Sequence, residues 1–233
     1  MFMHNGHIAN FNKVKRRLAA GLRDEYFLMV EGSTDSEWAF AVFLDTLHTL
    51  AGEDPKKALP SSATATTTEK GFGHALLREA MLGTIRRLNE LLDAAGTDEP
   101  SLLNFAATDG HSVVCTRYVC SSTDEAASLY FSSGTRFHEY RKGGFYRMER
   151  HDRGQDLVMV ASEPLTFERG LSAIFFSLLV EGKSRSCQIA TGDWVTVPTN
   201  SILSINKQTV LIHPIIGPSP YPLFLLSSSI NTH

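Results

Sequence analysis

A chain of 233 residues, 42% hydrophobic and 20% charged, suffices for one domain or at most two small ones, with a core that needs no staples. Its 22 basic residues against 25 acidic leave a formal net charge of -3, which argues against a broad electrostatic nucleic-acid surface. The 3 cysteines contain no CxxC pair, so neither a disulfide framework nor a zinc site is indicated.

The longest apolar run, residues 171–180, stops at Glu181, short of the ~18 residues that a membrane-spanning helix needs. The opening Met-Phe-Met-His-Asn-Gly lacks the basic and apolar regions of a secretory signal. A cytoplasmic setting without membrane contact is therefore expected.

In chain order, Asn10 is a candidate N-cap for a helix carrying Phe11, Val14, Leu18 and Leu22 on one face. Lys13, Lys15, Arg16 and Arg17 fall on the solvated face. Residues 26–30 read as a short apolar strand. Thr34-x-x-Glu37 is a capping box, and Trp38, Val42, Phe43, Leu47 and Leu50 form the stripe behind it. This puts Asp35 in the first turn of a helix, directly after a strand.

Residues 52–73 are low in complexity and read as a mobile loop. A long helix is predicted over 74–95, with Leu77, Met81, Ile85, Leu88 and Leu92 buried and Gly96 ending it. From Leu102 the period becomes strand-like. Residues 103–108 and 112–119 flank Asp109-Gly110, a strong hairpin signal. Further strands are predicted at 129–131, 145–150, 156–162, 194–197, and at 202–205 paired with 209–213. Helices followed by strands predict an α+β fold.

The densest polar feature is Met3-His4-Asn5-Gly6-His7-Ile8. By itself Asn-Gly most often marks a turn. An Asn amide and an adjacent Gly N–H can also converge on one oxygen, the construction of an oxyanion hole. His111 and His213 show no metal-ligand spacing. Cys115 and Cys120, on or at the end of a strand, read as structural.

Taken with Thr34-Asp35-Ser36-Glu37, the opening motif resembles the class II glutamine amidotransferases, members of the N-terminal nucleophile hydrolases. Later segments look family-like too: Leu103-Asn104-Phe105 with Thr108-Asp109-Gly110, Tyr130-Phe131-Ser132-Ser133-Gly134, residues 160–165, and residues 194–201. The ordered set looks most like the stand-alone amidotransferase subunit of fungal glutathione degradation.

The resemblance implies a four-layer αββα sandwich, incomplete at its N-terminus, over residues 1–216, with an irregular tail at 217–233. It implies hydrolysis of the γ-glutamyl amide of glutamine or glutathione, without metal or cofactor, beside a peptidase-like partner subunit. It casts Asn5 and Gly6 as the oxyanion hole, and Gly6 and Asp35 as binders of the substrate α-ammonium.

Two departures accompany it. Phe2 follows Met1 where the family exposes a Cys nucleophile, and the stretch bearing the carboxylate-binding Arg is missing, so the chain reads as beginning inside the family domain and as inactive. Residues 171–191 have no family counterpart and read as a foreign insertion. The rival expectation is a non-catalytic binding or scaffold protein, or an incomplete gene model.

Overall fold

The apolar stripes of the N-terminal half form helices. In a computed structural model that describes residues 1–52, 71–121, 123–142, 145–149, 157–165, 194–207 and 209–216, four helices precede nearly all the strands. Helix α1 (Phe11–Ala20) buries Val14 and Leu18. Helix α3 (Asp35–Ala51) buries Trp38, Val42, Phe43 and Leu47. Helix α4 (His74–Ala94) buries the full predicted stripe from Leu77 to Leu92. Its end is a Schellman turn: Gly96 takes a φ of 61°, while the N–H groups of Gly96 and Thr97 donate to Asp93 and Leu92.

Two expectations need correction here. The predicted strand at 26–30 is replaced by a short helix, α2 (Asp24–Leu28). A five-residue apolar run carries too little periodicity to separate strand from helix. Asp24 and Glu25 in its first turn favour the helix, and the Tyr26 hydroxyl is held 2.8 Å from His48 Nδ1. Asn10 does hold the N-cap position, yet its side chain makes no cap hydrogen bond; it donates to Glu99 Oε2 at 3.1 Å.

The opening residues are a strand rather than a turn: β1 (Phe2–His7). It pairs antiparallel with β2 (Leu102–Thr108), Phe2 opposite Ala107 and Asn5 opposite Asn104. Burial of alternate side chains explains this. Phe2 stacks on Phe40 with ring centroids 5.1 Å apart and lies 5.3 Å from Phe105.

The Asp-Gly hairpin forms as expected between β2 and β3 (Ser112–Arg117). Asp109 accepts from His111 N and Ser112 N, and from Phe72 N across the molecule. Burial opposes its charge, but backbone donors from Ser112, His111, Phe72 and Gly73 hold its pKa below the usual 3.8. A depressed carboxyl stabilises the fold above its unfolded pKa, and that gain is lost as pH falls through the folded pKa. Asp109→Asn should therefore lower the unfolding midpoint at neutral pH, with the gap to the wild type closing below about pH 3.8. Thermal scans of both proteins across that range check it.

Strands β4 (Tyr130–Gly134), β5 (Arg136–Arg141), β6 (Phe145–Glu149), β7 (Leu157–Ala161), β8 (Val195–Thr196), β9 (Ser201–Asn206) and β10 (Thr209–Pro214) complete the set. Strand β5, absent from the sequence reading, pairs with β6. The main sheet runs β1-β2-β3-β9-β10 and a smaller one runs β7-β4-β8. One face of the main sheet packs on the helices through Leu103, Phe105, Ala107, Val114 and Ile202. The other face meets the small sheet through Cys115, Leu203 and Ile205, with Leu129, Phe131, Val158 and Val160 opposite. The fold is α+β, and the described residues supply three of the four expected layers: helices, sheet, sheet.

Residues 53–70 of the expected 52–73 loop, residues 171–191 and the tail 217–233 lie outside the described residues. β7 and β8 are both antiparallel to β4 and flank it on opposite sides. They are therefore parallel to each other, and a parallel pair needs a crossover of roughly a dozen residues or more.

Candidate active site

The site grows from the C-terminal end of β1. Phe2 and His4 point to the helices, so strand alternation turns Met3, Asn5 and His7 to the opposite face, the face of Asn104. Asn5 and Gly6 are both exposed. Gly6 has a φ of 151°, which L side chains rarely adopt. A Cβ there would run into the Leu102 carbonyl and meet His4 Nε2 at 3.2 Å. Only glycine lets the strand pass this close to Leu102.

Asp35 reaches the same segment from α3. Its Oδ2 accepts from Ile8 N at 2.8 Å, and its Oδ1 accepts from Ser36 N at 2.8 Å. The capping box is opened out: Thr34 Oγ1 accepts from Glu37 N at 3.4 Å, but Glu37 Oε1 accepts from Glu31 N and Gly32 N. The carboxylate of Asp35 thus ties the residues after Gly6 to the start of the helix. The three residues singled out in the sequence are brought to one end of the sheet.

An asparagine at position 35 can accept from only one of the two N–H groups. Asp35→Asn should cost roughly 1.5–3 kcal/mol, the value of a hydrogen bond to a charged group, and speed exchange of the Ile8 amide proton. Unfolding curves and amide exchange measure both.

Several residues at the site carried little sequence signal. Asn104, opposite Asn5 and 5% exposed, donates to Ala127 O at 2.9 Å and accepts from Tyr118 N. Arg117, 6% exposed, donates to the carbonyls of Ala126, Ala127 and Val197 and to Glu125 Oε1. Together they fasten the loop before β4 next to Asn5. Ser128 Oγ in that loop donates to Glu163 Oε1 at 2.8 Å. A single arginine in a strand reads as surface, so only the site's own geometry reveals this one.

Neither described cysteine belongs to the site. Cys115 lies between the sheets, where burial pushes its thiol up to about 12. Cys120 is half-buried, its pKa raised by burial and by Asp93. Phe2 is built into the aromatic core against Phe40, Phe43 and Phe105. Two surface clefts, one at Arg23, Glu25, His48 and Thr49 and one at Ile85, Asn89, Tyr118 and Ile215, do not touch Asn5, Gly6 or Asp35. Among the described residues no His, Cys, Asp and Glu cluster could hold a metal ion, and no helix is long and apolar enough to cross a membrane.

Comparison with known proteins bears on this geometry. The chain is 50% identical over 235 aligned residues to the probable glutamine amidotransferase DUG3 of Saccharomyces cerevisiae, an alignment covering 98% of this chain. This chain is similar to that glutamine amidotransferase along nearly its whole length. It spans 56% of that relative's length. A solved glutamine aminotransferase class-II domain protein from Silicibacter pomeroyi aligns with a TM-score of 0.51 and 24% identity, covering 93% of this chain and 67% of that one; this likeness speaks for the amidotransferase fold alone. No protein-family model matches the chain.

Proposed function

We propose that this amidotransferase-like chain supplies the γ-glutamyl amide site of an enzyme of glutathione breakdown. Its substrate is glutamine or glutathione, which share the same acyl half, and it works beside a peptidase-like subunit. The observation that carries the reading is the exposed Asn5–Gly6 pair, held in a glycine-only conformation and tied through Ile8 to Asp35. Asn5 and Gly6 are the oxyanion donors, and Asp35, with the Gly6 carbonyl, receives the substrate α-ammonium. The acting unit is residues 1–216, with 171–191 as an insertion and 217–233 as a tail. No cofactor enters the chemistry.

Among the described residues the attacking thiolate is unfilled, since Cys115 is sealed between the sheets and burial keeps Cys120 in its thiol form. The 233 residues alone should release no glutamate from glutamine, which agrees equally with a non-catalytic family member. The test that separates the two is a titration with L-glutamine and with glutathione, followed by amide NMR. Joint shifts at Asn5, Gly6, Ile8 and Asp35 are expected. Shifts confined elsewhere, or none, would overturn the reading.

In a form of the protein that turns glutamine over, Asn5→Ala should lower kcat by roughly 10²–10³ with little change in KM, because an oxyanion donor matters mainly once the oxygen is charged. Steady-state kinetics distinguish this from a raised KM with normal kcat, the mark of a ground-state contact.

A further inference from the structure

His4 is unused by the proposal above, yet both of its ring nitrogens are committed. Nε2 lies 3.1 Å from Leu102 O, and Nδ1 lies 3.0 Å from Ser36 Oγ. Ser36 Oγ in turn lies 3.3 Å from Asp35 Oδ1. The ring packs against Phe105, centroids 4.6 Å apart, and its Nε2 lies 3.2 Å from the point a Gly6 Cβ would occupy. His4, Ser36, Asp35 and Ile8 therefore close a ring of contacts around Asn5 and Gly6.

Resting on the reading of Asp35 as the ammonium acceptor, we infer that His4 is a positioning residue whose proton sets, through Ser36, how much acceptor capacity Asp35 keeps for the substrate. A carbonyl oxygen can only accept, so neutral His4 carries its proton on Nε2, facing Leu102. Its bare Nδ1 then takes the Ser36 hydroxyl proton. Asp35 is left with the N–H groups of Ser36 and Ile8, and each carboxylate oxygen retains room for a second donor. A proton added at Nδ1 reverses the chain. Nδ1–H donates to Ser36 Oγ, whose one proton turns to Asp35 Oδ1 and fills a place the ammonium needs.

The groups facing His4 are Asp35 and Ser36 from α3, His7 from its own strand, and the Leu102 carbonyl from β2. Burial lowers its pKa below 6.5; the Leu102 carbonyl and Asp35 pull the other way, and His7 adds to the lowering. The neutral, receptive arrangement is thus the one present at neutral pH, and it gives way on acidification below 6.5.

The test uses the 233-residue chain without substrate, so its outcome is independent of the glutamine titration. Long-range proton–nitrogen NMR at neutral pH should show His4 protonated at Nε2 and bare at Nδ1. On acidification the Asp35 side-chain carboxyl carbon should shift at the His4 midpoint. That inflection should be lost in Ser36→Ala, except for a residual field effect, and kept in Ser36→Thr, which retains the hydroxyl. A proton on Nδ1 at neutral pH, or an inflection of equal size in Ser36→Ala, would overturn the inference. A purely structural His4 would not make the Asp35 signal follow its titration through Ser36.

Discussion

Gly6→Ala should lower the melting temperature by about 6–12 °C, from roughly 3 kcal/mol of strain and clash in a protein this size. Two costs add. The backbone φ of 151° disfavours any side chain, and the new methyl would occupy the space of the Leu102 carbonyl. Relief requires β1 to slide away from β2, which also breaks the His4 contact with Leu102 O. Gly110→Ala is the control. Its φ is 91° with no atom within 4 Å of the added Cβ, so it should cost about 1 kcal/mol, the conformational part alone. Equal losses in the two variants would mean that the close approach at Leu102 contributes nothing.

Arg117→Met should destabilise by a similar amount, about 3 kcal/mol, and should loosen one loop selectively. The methionine keeps the apolar stem but removes every donor. Ala127 O retains its bond from Asn104, while the Arg117 donors to Ala126 O and Val197 O are lost. Glu125 is exposed, so its freed carboxylate returns to water at little cost. Amide exchange at Val197, whose N–H donates to Leu129 O at 2.9 Å, should quicken more than exchange in α4. Arg117→Lys should recover only part of the loss, since a point charge cannot serve several carbonyls in different directions. If the methionine variant melts with the wild type, the buried guanidinium does not organise the loop.

The helices α1, α3 and α4 were legible because each runs long enough for a stripe of three or more apolar positions to outweigh chance. The β2–β3 hairpin was legible because Asp109-Gly110 carries its turn in two residues. The Asn5–Gly6 and Asp35 pairing could be placed only through family likeness, since nothing local says that residues 5 and 35 converge. What stayed hidden depends on distant partners. Strand β1 is a strand because Phe40, Phe43 and Phe105 are there to receive Phe2. The burial of Arg117 depends on carbonyls up to 80 residues away. The flanking of β4 by β7 and β8 is a pairing choice that neither strand's own residues express.

Among the described residues strand β1 stands at the edge of the main sheet, paired on one side with β2, and Met1, just before it, is held through Thr108. Peeling an edge strand exposes far less apolar surface than unfolding the domain, so such a segment opens at a lower free energy than the core behind it. The residues assigned to chemistry thus sit on a separately opening unit, clamped by Asp35 and His4 at its far end. Mild heat or denaturant should dismantle the Asn5–Gly6 geometry while α4 and the β3–β9 ladder remain intact. Competence at the site and survival of the fold are then two different thermodynamic quantities in this protein, and a substitution that weakens the clamp would be felt in the first long before the second.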